Sequence, residues 1–296
     1  KAFLAALEER FFIETLETER RQQSKDGTVK YLFRLPDGNC IETVLMRYSY
    51  GNTVCVSTQV GCRMGCRFCA STQGGRVRNL TAGEIANEVY AAARDTGERV
   101  SHIVLMGIGE PLDNFDHVMD FLSIISSPNG VNIGMRNISL STCGLVPMIY
   151  KLAERHLGLT LSVSLHAPTD EMRSSMMPVN DVYPVEQLIR ACRDYQQETG
   201  RRVSFEYSMV NGVNDSPQTA RRLAQLIKGM GAHVNLIPIN PVDGSPYSAT
   251  DAANVKRFQT LLTELGVNAT VRRRLGTDIS AACGQLRREA KGGTTA

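Results

Sequence analysis

An open, partial (β/α)6 barrel is the fold class that this sequence of 296 residues predicts. From residue 81 onwards, segments of strand character alternate with segments in which apolar residues recur at helical spacing. Six such units in succession predict a parallel sheet with right-handed crossovers. Parallel strands covered on both faces are almost wholly apolar, whereas residues 160–166 (TLSVSLH) alternate polar and apolar side chains. One strand face therefore looks into a polar lumen, which favours an open barrel over a flat, doubly wound sheet.

A small β lead-in is expected before the barrel. Segments 28–33 and 41–46 have strand character and are joined by a turn at residues 36–39, and a third strand at 54–58 leads into a cysteine-rich loop. The chain opens on Lys1 in what looks like mid-helix. We predict three parts: the end of an accessory region with the β lead-in (1–44), the barrel (45–283) and a C-terminal tail (284–296).

The helices of the barrel carry boundary signals. The sequence Thr-Ala-Gly-Glu from Thr81 is a capping box, and Ser216-Pro217 caps and opens a later helix. In order, the prediction is helix from 81, strand 103–106, helix through 118–125, strand 138–142, helix 146–156, strand 160–166, helix 185–198, strand 203–209, helix from 217, strand 233–239, helix 251–265 and strand 268–272. A ligand site is expected at the carboxyl ends of the strands.

Composition limits the classes of function. The sequence has no run of 18 apolar residues and no signal-peptide pattern, so we expect a soluble protein without a membrane partner. Eight cysteines, three of them close together, indicate metal and redox chemistry in a reducing cytoplasm. The net charge of +3 identifies no nucleic-acid partner by itself. Clustered arginines would form a phosphate-binding surface if they border the barrel mouth: Arg76, Arg78, 272–274, Arg287 and Arg288.

The cysteine cluster is the most specific motif. Cys62, Cys66 and Cys69 stand in C-x3-C-x2-C spacing directly after a predicted strand. Three thiolates can hold three irons of a 4Fe–4S cluster and leave the fourth iron open to S-adenosylmethionine (SAM). Zinc is the alternative, but it needs a fourth ligand, and no second close cysteine pair follows. Residues 107–111 (GIGEP) also follow a strand, where we expect the glycines to let the backbone approach a ligand.

Six segments taken in order resemble one family, the RlmN/Cfr radical SAM RNA methyltransferases, over about residues 1–290. They are residues 55–62, the cluster loop, 109–111, 164–168, 235–238 and 281–286. The resemblance implies the radical SAM fold, a 4Fe–4S cluster, two SAM molecules per turnover and a reducing electron-transfer protein such as flavodoxin or ferredoxin. It also implies 23S rRNA and tRNA as substrates. The small helical domain that the family carries before the position of Lys1 is not part of this sequence.

The resemblance also assigns roles to residues. It makes Cys62, Cys66 and Cys69 the cluster ligands. It implies that Cys283 receives a methyl group from SAM, that the derived methylene radical adds to adenine C2, and that Cys55 resolves the thioether as a Cys55–Cys283 disulfide. Glu42 matches the position of a general base. The implied SAM pocket consists of Gly109, Glu110, Ser141, Ser164, Leu165, His166 and Asn240.

The remaining cysteines carry no motif. Cys192 falls on an apolar helix stripe and is predicted to be core, whereas Cys40 lies at a turn edge. Cys143 is in phase with Ser139 and Ser141, which leaves open whether it faces the lumen.

The expected activity is methylation of adenosine C2 in the peptidyl-transferase centre of 23S rRNA and beside the tRNA anticodon. The alternative within the family is a Cfr-type C8 methyltransferase that confers antibiotic resistance. Pro111 and Gly74-Gly75 favour the C2 branch. A radical activase of a protein glycyl residue would not need a methyl-carrying Cys283, and a non-catalytic RNA-binding module is a fourth interpretation.

Overall fold

The computed structural model describes residues 2–10, 15–239, 246–279 and 286. Its strands are β1 (Glu17–Gln23), β2 (Val29–Arg34), β3 (Cys40–Tyr48), β4 (Gly51–Cys55), β5 (Gln59–Gly61), β6 (Arg76–Asn79), β7 (Val100–Leu105), β8 (Ile138–Thr142), β9 (Thr160–Ser164), β10 (Val203–Met209), β11 (His233–Pro238) and β12 (Asn268–Val271). Its helices are α1 (Ala2–Glu8), α2 (Ala82–Thr96), α3 (Phe115–Ser126), α4 (Val146–Ala153), α5 (Asp170–Met176), α6 (Val185–Thr199), α7 (Pro217–Leu226) and α8 (Ala252–Glu264).

Ten strands form one sheet in the order β1-β2-β3-β4-β7-β8-β9-β10-β11-β12, and β5 and β6 pair separately. Pairing is antiparallel from β1 to β4 and parallel from β4 to β12. Helices follow the parallel strands in the expected alternation, and among the described residues no pairing closes β1 onto β12. The partial barrel predicted from the sequence is confirmed. The sheet runs unbroken through β3 across residues 44 and 45, and the division into parts stays a prediction.

Four elements, β1, β5, β6 and α5, were not predicted from the sequence, and β1 and α5 show why. β1 is exposed along nearly its whole length, so it has no apolar periodicity that would mark it as a strand. α5 has only seven residues, and its main signal is the Thr169 hydroxyl, which accepts a hydrogen bond from the Met172 N–H. Both elements depend on tertiary contacts, which a local pattern does not contain.

β9 ends two residues earlier than predicted. His166 has a φ of +58°, which is incompatible with a continuing strand. The N–H groups of Leu165 and His166 both turn to the carbonyl oxygen of Glu206 on β10, at 3.1 and 3.3 Å. The chain therefore bends sharply at the carboxyl end of the sheet and places His166 over the lumen.

The two-faced strands are present as expected. On β10, Val203, Phe205 and Tyr207 belong to the hydrophobic core, whereas Ser204 and Glu206 are buried polar residues. The apolar face packs against the helices, and burial of one such large side chain contributes about 1.5–3 kcal/mol. The opposite face surrounds the lumen. In the part of the chain that the structure describes, no helix is long and apolar enough to cross a bilayer.

The glycines of the GIGEP segment contact the protein itself. A Cβ atom on Gly107 would lie 2.5 Å from the Val56 carbonyl oxygen, and one on Gly109 would lie 2.8 Å from the Gln59 nitrogen. The Ile108 carbonyl accepts hydrogen bonds from the N–H groups of Thr58 and Gln59 at 2.8 and 3.1 Å. Both glycines also line the cavity at the strand ends, so their contact with a ligand stays a prediction. In addition, they let the exit of β7 pack against the exit of β4.

Gly107→Ala is expected to lower the free energy of unfolding by about 1–3 kcal/mol, because the new methyl group overlaps rigid backbone. Gly134→Ala is the matched control: Gly134 is extended, and its Cβ position has no neighbour within 4 Å. That substitution should be neutral or stabilise by up to about 1 kcal/mol. Denaturant unfolding measures both, and equal effects would contradict the close packing of residues 107 and 56.

Candidate active site

A cavity of about 280 Å³ opens at the carboxyl ends of the parallel strands. Residues from the loops after β7, β8 and β9 line it together with the cysteine loop. The predicted site residues in this lining are Cys62, Cys66, Cys69, Gly109, Glu110, Ser141, Ser164 and His166. Motifs spread over more than 100 residues thus converge on one space, as the topology of parallel strands requires.

The cysteine loop is held by its own backbone. Its base is closed by the antiparallel pair β5 and β6 and by a 3.1 Å hydrogen bond from the Cys62 N–H to the Gly75 carbonyl. The Thr72 hydroxyl lies 3.2 Å from the Cys66 carbonyl oxygen and 2.9 Å from that of Cys69. Gly65 adopts a left-handed φ of +71°, which turns the chain between the first two cysteines. These contacts direct all three cysteines to the cavity.

The three thiols fit a cationic group. Burial raises the pKa of Cys62 to about 12 and also raises the pKa values of Cys66 and Cys69. A bound metal ion has the opposite effect on a thiol to burial, because coordination removes the thiol proton outright. Among the described residues, no three His, Cys, Asp or Glu side chains are gathered so as to share a single ion. A 4Fe–4S cluster does not require the three thiolates to meet at one ion, since each thiolate binds a different iron.

Glu110 has a structural role as well as a place in the cavity. Its two carboxylate oxygens accept hydrogen bonds from the N–H groups of Leu112, at 3.1 Å, and Cys143, at 2.7 Å. The side chain is buried, and desolvation raises the pKa of its carboxyl group. Each carboxylate oxygen has a second lone pair. Glu110 can therefore link the ends of β7 and β8 and still accept a hydrogen bond from a cationic ligand.

His166 is fixed as a neutral ring. Its Nδ1 accepts a 2.9 Å hydrogen bond from the Ser208 N–H, so the proton of the neutral imidazole lies on Nε2. Burial lowers the pKa of His166 to about 3. The Phe68 ring, one residue before Cys69, packs edge to face on the imidazole with 4.8 Å between the ring centroids. His166 is therefore a neutral hydrogen-bond donor in the cavity wall, and Phe68 connects it to the cysteine loop.

Arg173 organises the floor of this region and was missed by the sequence analysis. Its side chain is completely buried, and Nη2 donates to the carbonyl oxygens of Cys143, at 2.6 Å, and Ser164, at 3.2 Å. Nε donates to the Leu165 carbonyl at 3.2 Å. One guanidinium thus joins the ends of β8 and β9. No motif signals it, because its partners are carbonyl groups that any residue supplies.

Cys55 lies beside the cavity and does not line it. It is half-buried at the end of β4, and burial raises its pKa to about 11 although the Arg272 charge opposes the shift. Two residues later, the Ser57 N–H donates to both oxygens of the buried Glu88 carboxyl, at 3.1 and 3.0 Å. Glu88 also accepts a short hydrogen bond from the Thr43 hydroxyl. This side chain from α2 was missed by the sequence analysis and fixes the chain just after Cys55.

Glu42 is near neither Glu88 nor solvent. It lies on the lumen face of β3, where its Oε2 is 2.9 Å from Nζ of Lys30 on β2. Both side chains are essentially fully buried. Lys30 was not singled out in the sequence, since one lysine in a strand carries no signal.

The remaining cysteines and two further lining residues have the following positions. Cys143 lines the cavity, which answers the open question about its direction, and Cys192 is core as predicted. Cys40 is half-buried at the start of β3. Arg272, predicted as one of the arginines at the barrel mouth, also lines the cavity, and so does Glu206, which was not predicted as a site residue. Glu206 could have been found from its phase with Ser204 and Ser208 on the polar face of β10.

Several sequence predictions have other outcomes. The Leu165 side chain lies in the hydrophobic core and does not line the cavity, and its part in the SAM pocket stays a prediction. Asn240, Cys283, Arg287 and Arg288 lie outside the described residues.

The arginines after the cysteine loop are engaged by carboxylates. Arg78 pairs with Asp37 at 2.6 Å and with Glu84 at 2.8 Å, and Arg76 pairs with Asp113 at 2.7 Å. Those pairs do not support the expectation that these two residues are a free phosphate-binding surface. Arg273 and Arg274 are exposed beyond β12.

The segment after β12 crosses towards the β lead-in. The Gly276 N–H donates to Asp26 at 2.8 Å, and the Asp278 carboxylate accepts a 3.0 Å hydrogen bond from the Lys25 N–H. Ser24 also donates a short hydrogen bond to Asp278. The turn between β1 and β2 therefore anchors the chain shortly before the position of Cys283.

Comparisons with known proteins agree with this geometry. Residues 56–224 match the radical SAM superfamily. The chain is 57% identical over 265 residues to a probable dual-specificity RNA methyltransferase RlmN from Desulforamulus reducens, covering 90% of this chain and 76% of that protein. A protein of the same name from Clostridium botulinum is 52% identical over 289 residues, covering 97% of this chain and 83% of that protein. A solved structure of a radical SAM methyltransferase from Sphaerobacter thermophilus has a TM-score of 0.92 and 49% identity, covering 96% of this chain and 85% of that one.

The neutral state of His166 generates a pH prediction. The pKa of His166 is about 3 in the folded protein and about 6.5 in the unfolded chain. As the pH falls below 6.5, the unfolded chain therefore binds a proton at this residue and the folded protein does not. This group should therefore cost up to about 1.4 kcal/mol of stability per pH unit below 6.5. His166→Asn, which tolerates the left-handed backbone, should flatten that slope between pH 6.5 and 4. ¹⁵N NMR should find the proton on Nε2 at pH 5, and a charged ring there would contradict the assignment.

Proposed function

Because the chain belongs to the radical SAM superfamily and, within it, to the family of the RlmN RNA methyltransferases, we propose that it methylates C2 of adenosine in two RNAs. The substrates are an adenosine of the peptidyl-transferase centre in 23S rRNA and the adenosine beside the tRNA anticodon. The observation that carries the proposal is the convergence of Cys62, Cys66 and Cys69 with Glu110 and His166 on one cavity, with Cys55 on the adjoining strand.

Cys62, Cys66 and Cys69 would hold a 4Fe–4S cluster. Their burial in one cavity and the raised pKa values of their thiols fit a group that brings positive charge. When bound, the cluster supplies the electron that cleaves SAM. Glu110 is placed to accept a hydrogen bond from the ammonium group of SAM, while its links to Leu112 and Cys143 hold its orientation. His166, Ser141 and Ser164 offer donors and acceptors for the rest of that ligand.

The chemistry of adenine explains the need for two further cysteines. C2 is electron-poor and has no lone pair, so it does not attack a sulfonium methyl group. Cys283 would instead take the methyl group from one SAM molecule, and a second SAM would be consumed to make the S-methylene radical that bonds to C2. Addition leaves an unpaired electron on the adenine ring, which would return to the cluster, and the C2 proton would then be lost to leave a closed-shell thioether between C2 and Cys283. The Cys55 thiolate would then attack the sulfur of Cys283, forming a disulfide and releasing the methylene carbon, which takes up a proton. A reducing protein such as flavodoxin or ferredoxin and a reducing cytoplasm would support repeated turnover.

Cys55 must lose its proton before that attack. Burial raises its pKa to about 11, and the nearby charges of Arg272 and Lys30 act in the opposite direction. Glu42, on the same side of the sheet, would accept the C2 proton. These two residues place the resolving and proton-accepting groups on neighbouring strands, β4 and β3.

Replacement of any one of Cys62, Cys66 or Cys69 by Ala is expected to abolish iron binding and SAM cleavage, because three thiolates are the minimum for a cluster with an open iron. Cys40→Ser is the control, since Cys40 does not line the cavity. Iron and sulfide content after anaerobic reconstitution, with the brown absorbance, measures the outcome. Full iron content in any of the three Ala variants would contradict the assignment.

The two extra cysteines should differ when changed. Cys283→Ala should be inert, because it lacks the methyl carrier and no bond to RNA can form. Cys55→Ala should still bond to RNA but should be unable to break the thioether. Purified from a host that contains RNA, it should carry nucleic acid that survives denaturing electrophoresis and disappears with ribonuclease.

The opposite pattern is equally informative. If Cys283→Ala is the variant that retains RNA, or if neither variant is cross-linked, the proposed roles are wrong.

A further inference from the structure

A fully buried ion pair lies on the strand face that carries Cys55. Nζ of Lys30 and Oε2 of Glu42 are 2.9 Å apart, and the two side chains are 0% and 2% exposed. Lys30 is directly opposite Val44, and Val44 is directly opposite Cys55. Opposite residues of antiparallel strands share a face. Lys30, Val44 and Cys55 therefore form a row across three strands, and Glu42 lies two residues from Val44 on the same face.

Stability does not explain this pair. Burying two charges costs free energy that their attraction often fails to recover, and apolar residues of similar volume are commonly as stable or more so. The surrounding face already accommodates apolar side chains. Leu32 is directly opposite Glu42 and completely buried. The reason for a lysine here is better sought in what its ammonium does to Glu42.

Glu88 shows what happens to a buried carboxyl that is held by neutral donors. It receives hydrogen bonds from the Ser57 N–H and the Thr43 hydroxyl on the opposite side of the sheet. Desolvation raises its pKa well above the ordinary value. Such a group serves as an anchor for the chain. Glu42, one residue from Thr43, differs by having a cation at hydrogen-bond distance.

We propose that Lys30 is a positioning residue for proton transfer to Glu42: its ammonium group, 2.9 Å from Oε2, holds the neighbouring carboxylate in one orientation beside Cys55. The inference rests on the proposed function. In the step concerned, the unpaired electron of the radical adduct would first return to the cluster. The C2–H bond of the alkylated adenine then breaks, its proton goes to a carboxylate oxygen of Glu42, and its electron pair stays on the ring. Resolution by Cys55 follows. Without Lys30, the buried carboxylate would lose the ammonium group that orients it, and its oxygen would no longer be held in place to receive the proton.

The test compares Lys30→Met with Glu42→Gln in the reconstituted full chain acting on 23S rRNA fragments or tRNA. Both variants should lose at least about tenfold in turnover, since a general base contributes about 10²–10⁴. Both should also accumulate the covalent protein–RNA species, which denaturing electrophoresis detects before and after ribonuclease treatment. Lys30→Arg should recover part of the turnover, because it retains the charge. Leu32→Met is the packing control and should behave as wild type.

A second readout does not depend on activity. Lys30→Met leaves a buried carboxyl without its partner, so it should lower the melting temperature of the protein. The double variant Lys30→Met/Glu42→Leu removes both charges and should melt at or above the single variant. A double variant that melts far below the wild type, although it contains no unpaired buried charge, would show that the pair serves to stabilise the fold and would overturn the proposal.

The outcomes separate this inference from the proposed function. Wild-type turnover in Lys30→Met, or lost turnover without the covalent species, overturns the role of Lys30. Absence of the covalent species in Glu42→Gln, when Cys55→Ala still traps RNA, overturns proton transfer to Glu42 and the role of Lys30 with it. Failure of Cys55→Ala to trap RNA would instead count against the proposed function itself.

Discussion

The close contact between residues 56–59 and 107–109 is the constraint on which the site depends. It requires glycine at 107 and 109, because a Cβ atom at either position would overlap the facing backbone. The contact holds the exit of β4, with Cys55 and the start of the cysteine loop, against the exit of β7. Gln59 extends it by accepting a 3.0 Å hydrogen bond from the Glu110 N–H. The relative position of the thiols and the Glu110 carboxylate is thus set by backbone packing.

Buried charged side chains fix other parts of the site region. Arg173 joins the ends of β8 and β9, and Glu88 fixes the chain after Cys55, each by hydrogen bonds to backbone groups. Glu110 has both roles, since it binds backbone N–H groups and lines the cavity. The Lys30–Glu42 pair differs in that two buried side chains of opposite charge contact each other, at 2.9 Å, across β2 and β3.

Much of this could be predicted from sequence, for identifiable reasons. One face of β8 and β10 is turned to the lumen, so the alternation of polar and apolar residues identifies both as strands. The capping box at Thr81 is formed as expected. The cysteine spacing predicted the lining of the cavity because ligands of one cluster must be close in the chain. Arg173, Glu88 and Lys30 could not be found this way: their partners are distant in sequence or are backbone atoms. The glycines of the GIGEP segment were identified for contact with a ligand, whereas their contact with residues 56–59 could not be predicted because it joins segments that are distant in sequence.

Transfer of the methyl group through a cysteine-bound methylene radical is the central claim, and isotope labelling tests it most directly. The reconstituted protein is supplied with SAM whose methyl group carries three deuterium atoms, and the adenosine product from 23S rRNA or tRNA is analysed by mass spectrometry. One deuterium is lost when the methylene radical forms, and a solvent proton replaces it on release. The account predicts a methyl group with two deuterium atoms on C2. Three retained deuterium atoms, or a methyl group on C8, would contradict it.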